Sequence, residues 1–451
     1  MRALLSACAA LLLAGCASTS PDPAARAIAR QVEQRTGAAP RLQRAGDPAI
    51  ARETDALLTE PLTMDAALRV ALLNHPGLQA TFWEAGVAQA DLAQATRLPN
   101  PSFGFARLSG GGERELERAV GFDLAGLLTM PLRRRMETRR VEQTRLSVAD
   151  AIEQHLLATR KAWVEAVAAR QSLAYARLVQ ASTEAAAELM ERMVKAGNAS
   201  RLDLAREQAQ HLDAGAAVLR ATRDAAALRE ALTRQLGLWG TQAGYALPER
   251  LPDLPAAPQE LARIEQTALA RRLDVQAARL GAEHTAADLG LTRTTRMVNV
   301  LEVGWQDKRE RGAERATGYE VSLELPLFDW GGARVARAES VYMQSLHRVA
   351  DVAIAARSEA RAAWLGYRSN YDLARHYRDA VIPLRKRIAD ETLLRYNGML
   401  ASPFELLLDA RAQAEAVSAY IDALKDFWLA DAALDGALGG KPPAEHKEQQ
   451  Q

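Results

Sequence analysis

Two hydrophobic periods run through this chain and predict two kinds of element. Around residues 319–327, Tyr319, Val321, Leu323, Leu325 and Leu327 share one parity, and Glu320, Ser322 and Glu324 share the other. Alternation at period 2 marks a strand with one apolar and one polar face. Three other stretches read the same way: "PSFGFARL" (101–108), "RAVGFDL" (118–124) and "NVLEVGW" (299–305). Most of the remaining chain repeats at threes and fours. The segment 63–95 predicts a helix. The segment 131–196 predicts a much longer one, with no Gly or Pro after Pro131 and an apolar stripe through Val141, Leu146, Val148, Ile152 and Leu156. Roughly 65 residues at a rise of about 1.5 Å would make a rod of about 100 Å.

The pattern also repeats. At an offset of 201, Trp163 falls on Trp364 and Gly197 on Gly398. At the same offset "RAVGFDLAGL" (118–127) falls on "YEVSLELPLF" (319–328), with Val120, Phe122 and Leu124 under Val321, Leu323 and Leu325. Agreement at one offset argues for a duplication. Between the halves, "LPERLPDLPAAPQE" (247–260) carries four prolines and cannot be a helix interior. The chain divides into a signal segment (1–15), a polar N-terminal extension (16–60), repeat one (61–246), a linker (247–260), repeat two (261–440) and a charged tail (441–451). Each repeat runs helix, strand, strand, very long helix, Gly-containing turn, long helix.

Each strand pair is joined by a charged segment, "SGGGEREL" in one half and "QDKRERGAERATG" in the other. Such hairpins suit strands that cross an outer membrane. On that reading Phe103, Phe105, Val120, Phe122, Leu124, Leu301, Val303, Trp305, Val321, Leu323 and Leu325 face lipid. Gly121, Asp123, Glu320, Ser322 and Glu324 face a lumen, with Asp123 and Glu324 at equivalent places in the two halves. Closed barrels need about eight strands or more, and an open edge in hydrocarbon is prohibitive. Several chains must therefore share one barrel, two giving 8 strands and three giving 12. The competing reading is a soluble four-stranded sheet packed on helices.

The N-terminus bears on location. "MRALLSACAALLLAGCASTS" places Arg2 before an apolar run, Ala3–Leu13, and ends in "LAGC"; it resembles a bacterial lipoprotein signal. That resemblance implies cleavage before Cys16, lipidation of Cys16 and, with Ala17 rather than Asp following, sorting to the outer membrane. An ordinary secretory signal is the alternative. Cys8 is lost with the signal, and one remaining cysteine allows neither an intrachain disulfide nor a thiolate metal site.

Composition sets limits. The chain is 48% hydrophobic but 5% aromatic, rich in the residues of long helices. No apolar run reaches the roughly 18 residues of a transmembrane helix. Net charge is +1, and loss of Arg2 leaves 56 basic residues against 56 acidic, so bulk attraction to nucleic acid is not expected. His75, His155, His211, His284, His347, His376 and His446 form no HxH or HxxxH pair, and Met297 and Met343 stand alone. No Ser/His/Asp arrangement, phosphate-binding loop or dinucleotide fingerprint appears. Neither a metal site, a cofactor nor an enzyme activity is expected. The basic run "PLRRRMETRR" (131–140) follows the second strand, at the predicted lipid–periplasm boundary; it either contacts acidic groups or starts a solvated helix.

Taken together, the duplicated helix–strand–strand–helix–turn–helix units, "LPLFDWGG" after the fourth strand, and the turns "AGNASRLDLAREQAQ" and "NGMLASPFELLLDARAQ" resemble the TolC-like outer-membrane factors over nearly the whole mature chain. The lipidated cysteine resembles their drug and metal efflux branch. The resemblance implies a mainly α fold with a small β part. It implies a homotrimer whose 12-stranded barrel, four strands per chain, continues into a long periplasmic α-barrel. It also implies a periplasmic adaptor (membrane fusion) protein, an inner-membrane pump and outer-membrane lipid as partners.

By the same resemblance the two turns form a periplasmic tip that closes the channel and receives the adaptor. Asp203 and Glu207 follow the first turn and Glu405 and Asp409 the second, each pair on one helix face. Two readings stand: an acidic gate ring, or first-turn acids that offset the helix dipole. Where the family often reads Glu/Asp-Val-Leu-Asp, this chain reads "ELLLD", one residue longer. Gly197, Ser200, Gly398 and Ser402 are expected to shape the tip, Gly by positive φ and Ser by capping. The expected function is a passive outer-membrane duct exporting a drug or heavy-metal cation. A non-conducting coiled-coil lipoprotein scaffold is the alternative.

Overall fold

The computed structural model describes residues 22–37, 40–41, 48–110, 113–297, 300–310, 312 and 314–440. Cys16, the signal segment and the charged tail lie outside the described residues. The fold is mainly helical with one small antiparallel sheet. Its elements begin with α1 (Asp22–Thr36), α2 (Pro48–Leu57), α3 (Met64–Asn74) and α4 (Pro76–Ala95), followed by β1 (Ser102–Gly110), β2 (Glu113–Asp123), α5 (Leu124–Lys195) and α6 (Arg201–Leu236). Then come α7 (Ile264–Arg271), α8 (Leu273–Thr295), β3 (Leu301–Glu310), β4 (Ala316–Leu323), α9 (Gly332–His376), α10 (Ile382–Asn397) and α11 (Pro403–Ala437). A π turn, Tyr377–Val381, joins α9 to α10. No helix among the described residues is long and apolar enough to cross a membrane.

Several boundaries differ from the sequence expectations. The helix predicted over 63–95 is two helices, because Pro76 has no N–H to continue the first. The N-terminal extension is not merely polar: Val32 and Ile50 are buried, and Arg35 pairs with Glu153 and donates to the Gly439 carbonyl at 2.6 Å. The strands reach further into the charged segments than hydropathy suggested. β2 begins at Glu113 and β3 runs on to Glu310, while β4 stops at Leu323.

The chain forms two compact units. One comprises the described residues of Met1–Ile28, Thr81–Ala149 and Leu273–Ile354, and holds the sheet, in the order β1-β2-β3-β4. The other comprises those of Ala29–Ala80, Asp150–Arg272 and Ala355–Gln451, and holds the main aromatic core. There Tyr367, Tyr371 and Phe427 pack together, and buried Trp163 donates its indole N–H to the Leu62 carbonyl at 2.7 Å. The proline-rich linker has no regular partner strand, so side chains satisfy its backbone. Tyr371 donates to the Ala256 carbonyl (3.0 Å), Trp428 to Pro252 (3.0 Å) and Arg378 to Leu254 (3.3 Å), while Leu247, Leu251 and Leu254 are buried.

The π turn has a sequence origin. Trp163 and Ser200 are 37 residues apart, but Trp364 and Ser402 are 38 apart. The first interval lies within unbroken α5 and its turn; the second contains the wide turn at Tyr377–Val381. A π turn accommodates one extra residue within a helix without breaking it.

One half-buried histidine pair in this second unit makes stability depend on pH. The rings of His75 and His155 lie 4.1 Å apart, and His155 Nε2 donates to the Gln235 carbonyl at 2.9 Å. Burial first, and the His75 charge second, pull the His155 pKa down to about 4; burial also lowers that of His75. Between about 6.5 and 4 the unfolded chain binds protons that the folded one refuses, so stability falls as pH drops through that window. Thermal unfolding followed by circular dichroism is expected to show this drop, and a shallower one in His155→Gln. Equal slopes would remove the pair from the account.

Candidate functional site

Two regions carry the candidate residues: the sheet, and the turns that end α5 and α10. In the sheet, cross-strand partners point to the same face, so register decides which residues keep company. Phe103, Val120, Trp305 and Tyr319 form one row across all four strands. The next row towards the helices is Phe122, Val303 and Val321, followed by Leu301 and Leu323. This face is open, with Tyr319 84% and Phe103 69% exposed.

The opposite face is acidic and small. Its rows are Asp123, Glu302 and Ser322; then Ser102, Gly121, Gly304 and Glu320; then Gly104, Ala119, Gln306 and Gly318. The Gln306 amide donates to the Glu320 carboxylate. Glu324 lies one residue past β4, yet its N–H still donates to the Val300 carbonyl at 3.2 Å, and it keeps the parity of Glu320. Asp123 does more than face one side: it accepts the Gly126 N–H at 2.7 Å and so caps the first turn of α5. Leu124, expected on a strand, is the first residue of that helix, and Leu325 lies beyond the end of β4. Glu302 was missed by sequence reasoning, although it occupies the polar parity of "NVLEVGW". Among the described residues β1 pairs only with β2 and β4 only with β3, so both outer edges are open.

The two turns, in the second unit, are built alike. In the first, Asn198 donates to Met193 (2.8 Å) and Gly197 to Val194 (3.0 Å), with Gly197 at φ 78. In the second, Leu400 donates to Arg395 (2.8 Å) and Met399 to Tyr396 (3.0 Å), with Met399 at φ 58. Both are Schellman-type closures, which need one left-handed residue. Gly398 has φ −84, so the expectation that it supplies positive φ is corrected: the partner of Gly197 is Met399.

Each candidate carboxylate at the turns has a local role. Ser200 caps α6 and Ser402 caps α11, in reciprocal boxes with Asp203 and Glu405. Asp203 N–H donates to Ser200 Oγ at 3.1 Å, and Glu405 N–H to Ser402 Oγ at 3.2 Å. Hydrogen bonds from Ser200, first from its hydroxyl, hold the Asp203 carboxyl below its ordinary pKa. Glu207 is buried and paired with Arg411 across to α11, and Asp409 accepts from the Thr392 hydroxyl at 2.6 Å. Sequence spacing placed these acids on helix faces but gave no sign of the Arg411 and Thr392 partners, which arrive from other helices.

The basic run meets acids. In the unit that holds the sheet, Arg139 lies 3.3 Å from both Glu142 and Glu283, and Arg140 lies 3.5 Å from Asp91 and from Glu137. No group of three or more His, Cys, Asp or Glu among the described residues is placed to hold a metal ion.

By sequence, no family model matches this chain and no curated protein does. By fold, the outer-membrane channel OprN aligns with a TM-score of 0.70 at 18% identity, over 88% of this chain and 93% of its own. The CmeC outer-membrane channel of Campylobacter jejuni gives 0.71 at 14% identity, over 84% and 85%. The MtrE outer-membrane channel of Neisseria gonorrhoeae, in its open state, gives 0.69 at 17%, over 84% and 89%.

Caps of this kind stabilise by about 1 kcal/mol each. Ser200→Ala and Ser402→Ala are expected to raise amide hydrogen exchange in the first turns of α6 and α11 by about fivefold, the factor that 1 kcal/mol gives. Unchanged protection would show that the turns are held by something other than the caps.

Proposed function

We propose that this chain, which has the TolC-like fold of outer-membrane channels, assembles as a homotrimer that forms the exit duct of a tripartite efflux system. The observation that carries the reading is a four-stranded sheet with an apolar aromatic face, an acidic face and two open edges. Backbone N–H and C=O groups on those edges cannot stay unpaired in hydrocarbon. Pairing β4 of one copy with β1 of the next removes every edge, and three copies give a 12-stranded barrel. The aromatic face then meets lipid and the acidic face lines the lumen. Cys16 anchors each copy in the outer membrane, and the helices extend into the periplasm.

Lumen charge favours cationic cargo, whether drug or metal ion. On the inward parity Asp123, Glu302, Glu320, Glu324, Glu115, Glu117 and Glu310 face one cation, Lys308, which is itself held by Glu115 and by Glu310 at 3.1 Å. A passive duct takes its energy from an inner-membrane pump and its opening from an adaptor. In this reading the turns, with Gly197, Ser200, Asp203, Glu207, Gly398, Ser402, Glu405 and Asp409, form the periplasmic tip. Met399 adds an argument for docking there. It is 93% exposed in a left-handed conformation where Gly would be unstrained, and Leu400 beside it is 81% exposed. An apolar pair kept at the cost of backbone strain suits the helical hairpin of an adaptor.

Native mass spectrometry of the purified protein is expected to give three chains, and planar bilayers a cation-preferring conductance. In Glu302→Gln/Glu320→Gln the cation-to-anion permeability ratio is expected to fall at least about twofold. A monomeric protein without conductance would favour the scaffold alternative; an unaltered ratio would sink the acidic lumen. Met399→Gly is expected to raise thermal stability slightly, by about 1 kcal/mol, while weakening adaptor binding in a pull-down. Undiminished adaptor binding would clear Met399 of that role.

A further inference from the structure

Beyond the Phe103–Val120–Trp305–Tyr319 row, towards the hairpin ends, the aromatic face changes character. Its next rows are Phe105, Arg118, Asp307 and Thr317; then Arg107, Leu116 and Arg309; then Ser109 and Arg114. Arg315, just before β4, joins them by pairing with Asp307 at 2.5 Å. Five arginines therefore share this face with one acid. On the reverse of the same strands, at the same height, Glu115, Glu117 and Glu310 surround Lys308. A hairpin that only needed solubility would mix the signs on both faces. Here alternation along β2 sorts them, leaving Asp307 and Lys308 as the one exception on each face, and a register slip of one residue would exchange the two faces.

Asp307 is 1% exposed, with Arg315 and, at 3.9 Å, Arg309 against it. It holds those two guanidinium groups in place while leaving each about half exposed. Arg107 and Arg114 are exposed and meet no carboxylate among the described residues. Successive rows lie about 7 Å apart along a strand, or about 5 Å in height at the usual barrel tilt. Arginines therefore begin one step outside the Trp305–Tyr319 girdle and continue through the depth of a headgroup layer, about 5–8 Å.

We propose that Arg107, Arg114, Arg118, Arg309 and Arg315 form a belt that binds the phosphorylated sugar headgroups of the glycolipid in the outer leaflet. The inference rests on the channel reading above, in which the aromatic face meets lipid. Charge complementarity names the occupant. A guanidinium fork matches a phosphate with two parallel hydrogen bonds, and several forks at intervals of about 5 Å match a headgroup with more than one phosphate. Ordinary phospholipid, with one phosphate at one depth, would engage only the first row.

The test uses the full-length protein in phosphatidylcholine nanodiscs doped with bis-phosphorylated lipid A, dephosphorylated lipid A or phosphatidylglycerol. Lipid retained on the protein after detergent extraction is counted by mass spectrometry. The wild type is expected to enrich bis-phosphorylated lipid A over both other dopants. Arg107→Gln/Arg114→Gln/Arg309→Gln is expected to lower that enrichment at least about fivefold, since each basic residue near an anionic surface contributes about that factor. Equal retention by the triple variant overturns the belt, as does equal enrichment of the dephosphorylated lipid or of phosphatidylglycerol. Bilayer conductance, measured on the same samples, separates the two readings. A wild type that conducts but shows no arginine-dependent enrichment overturns the belt alone; a wild type that does not conduct overturns the channel reading on which it rests.

Discussion

An unpaired peptide group has no tolerable place in hydrocarbon, and the assembly proposed for this chain follows from that constraint. Four strands in the order β1-β2-β3-β4 satisfy each other internally and leave one row of N–H and C=O groups on each flank. Hydrophobic burial could be arranged within a single copy, by packing helices over the aromatic face. Edge pairing could not, because no fifth strand exists among the described residues. In the proposed trimer the same hydrogen bonds that close the barrel also join the subunits, so assembly and membrane crossing become one event.

Register carries the second layer of information. Sorting by parity puts Phe103, Trp305 and Tyr319 on one face and Asp123, Glu302 and Glu320 on the other, and the sorting continues beyond the apolar rows into charge of opposite sign. The small residues Gly104, Gly121, Gly304 and Gly318 all fall on the acidic side, where they would leave space in the interior of the proposed barrel. Neither face could be altered by shifting a strand without spoiling both.

Strands were legible wherever apolar and polar residues alternate, as in 319–323. They were misjudged in "EREL" and "DKRE", where both parities are polar and hydropathy falls silent. In β2 the missing signal was alternation of charge sign, Glu115 and Glu117 on one parity and Arg114 and Arg118 on the other; in "DKRE" each parity carries one charge of each sign, so no such pattern marked the strand. At the turns, composition marked the place and the serine caps, since Ser-x-x-Asp and Ser-x-x-Glu state their own geometry. It misled at Gly398, because a glycine one residue early draws attention from the methionine that adopts the left-handed conformation. Partnerships such as Glu207 with Arg411, formed between helices more than 200 residues apart in sequence, could not be read from spacing along either one.

The π turn at Tyr377–Val381 bears on how the two halves stay comparable. In an unbroken α-helix every residue advances the azimuth by about 100°, so an inserted residue would swing the stripe beyond it by more than a quarter of a circle. The widened turn takes up that extra step. Downstream of it, α10 reaches its turn with the same closure and the same serine cap that α5 reaches without any insertion. A duplicated chain can thus drift in length without losing rotational phase, and the place where it drifted remains visible as a local change of helix pitch.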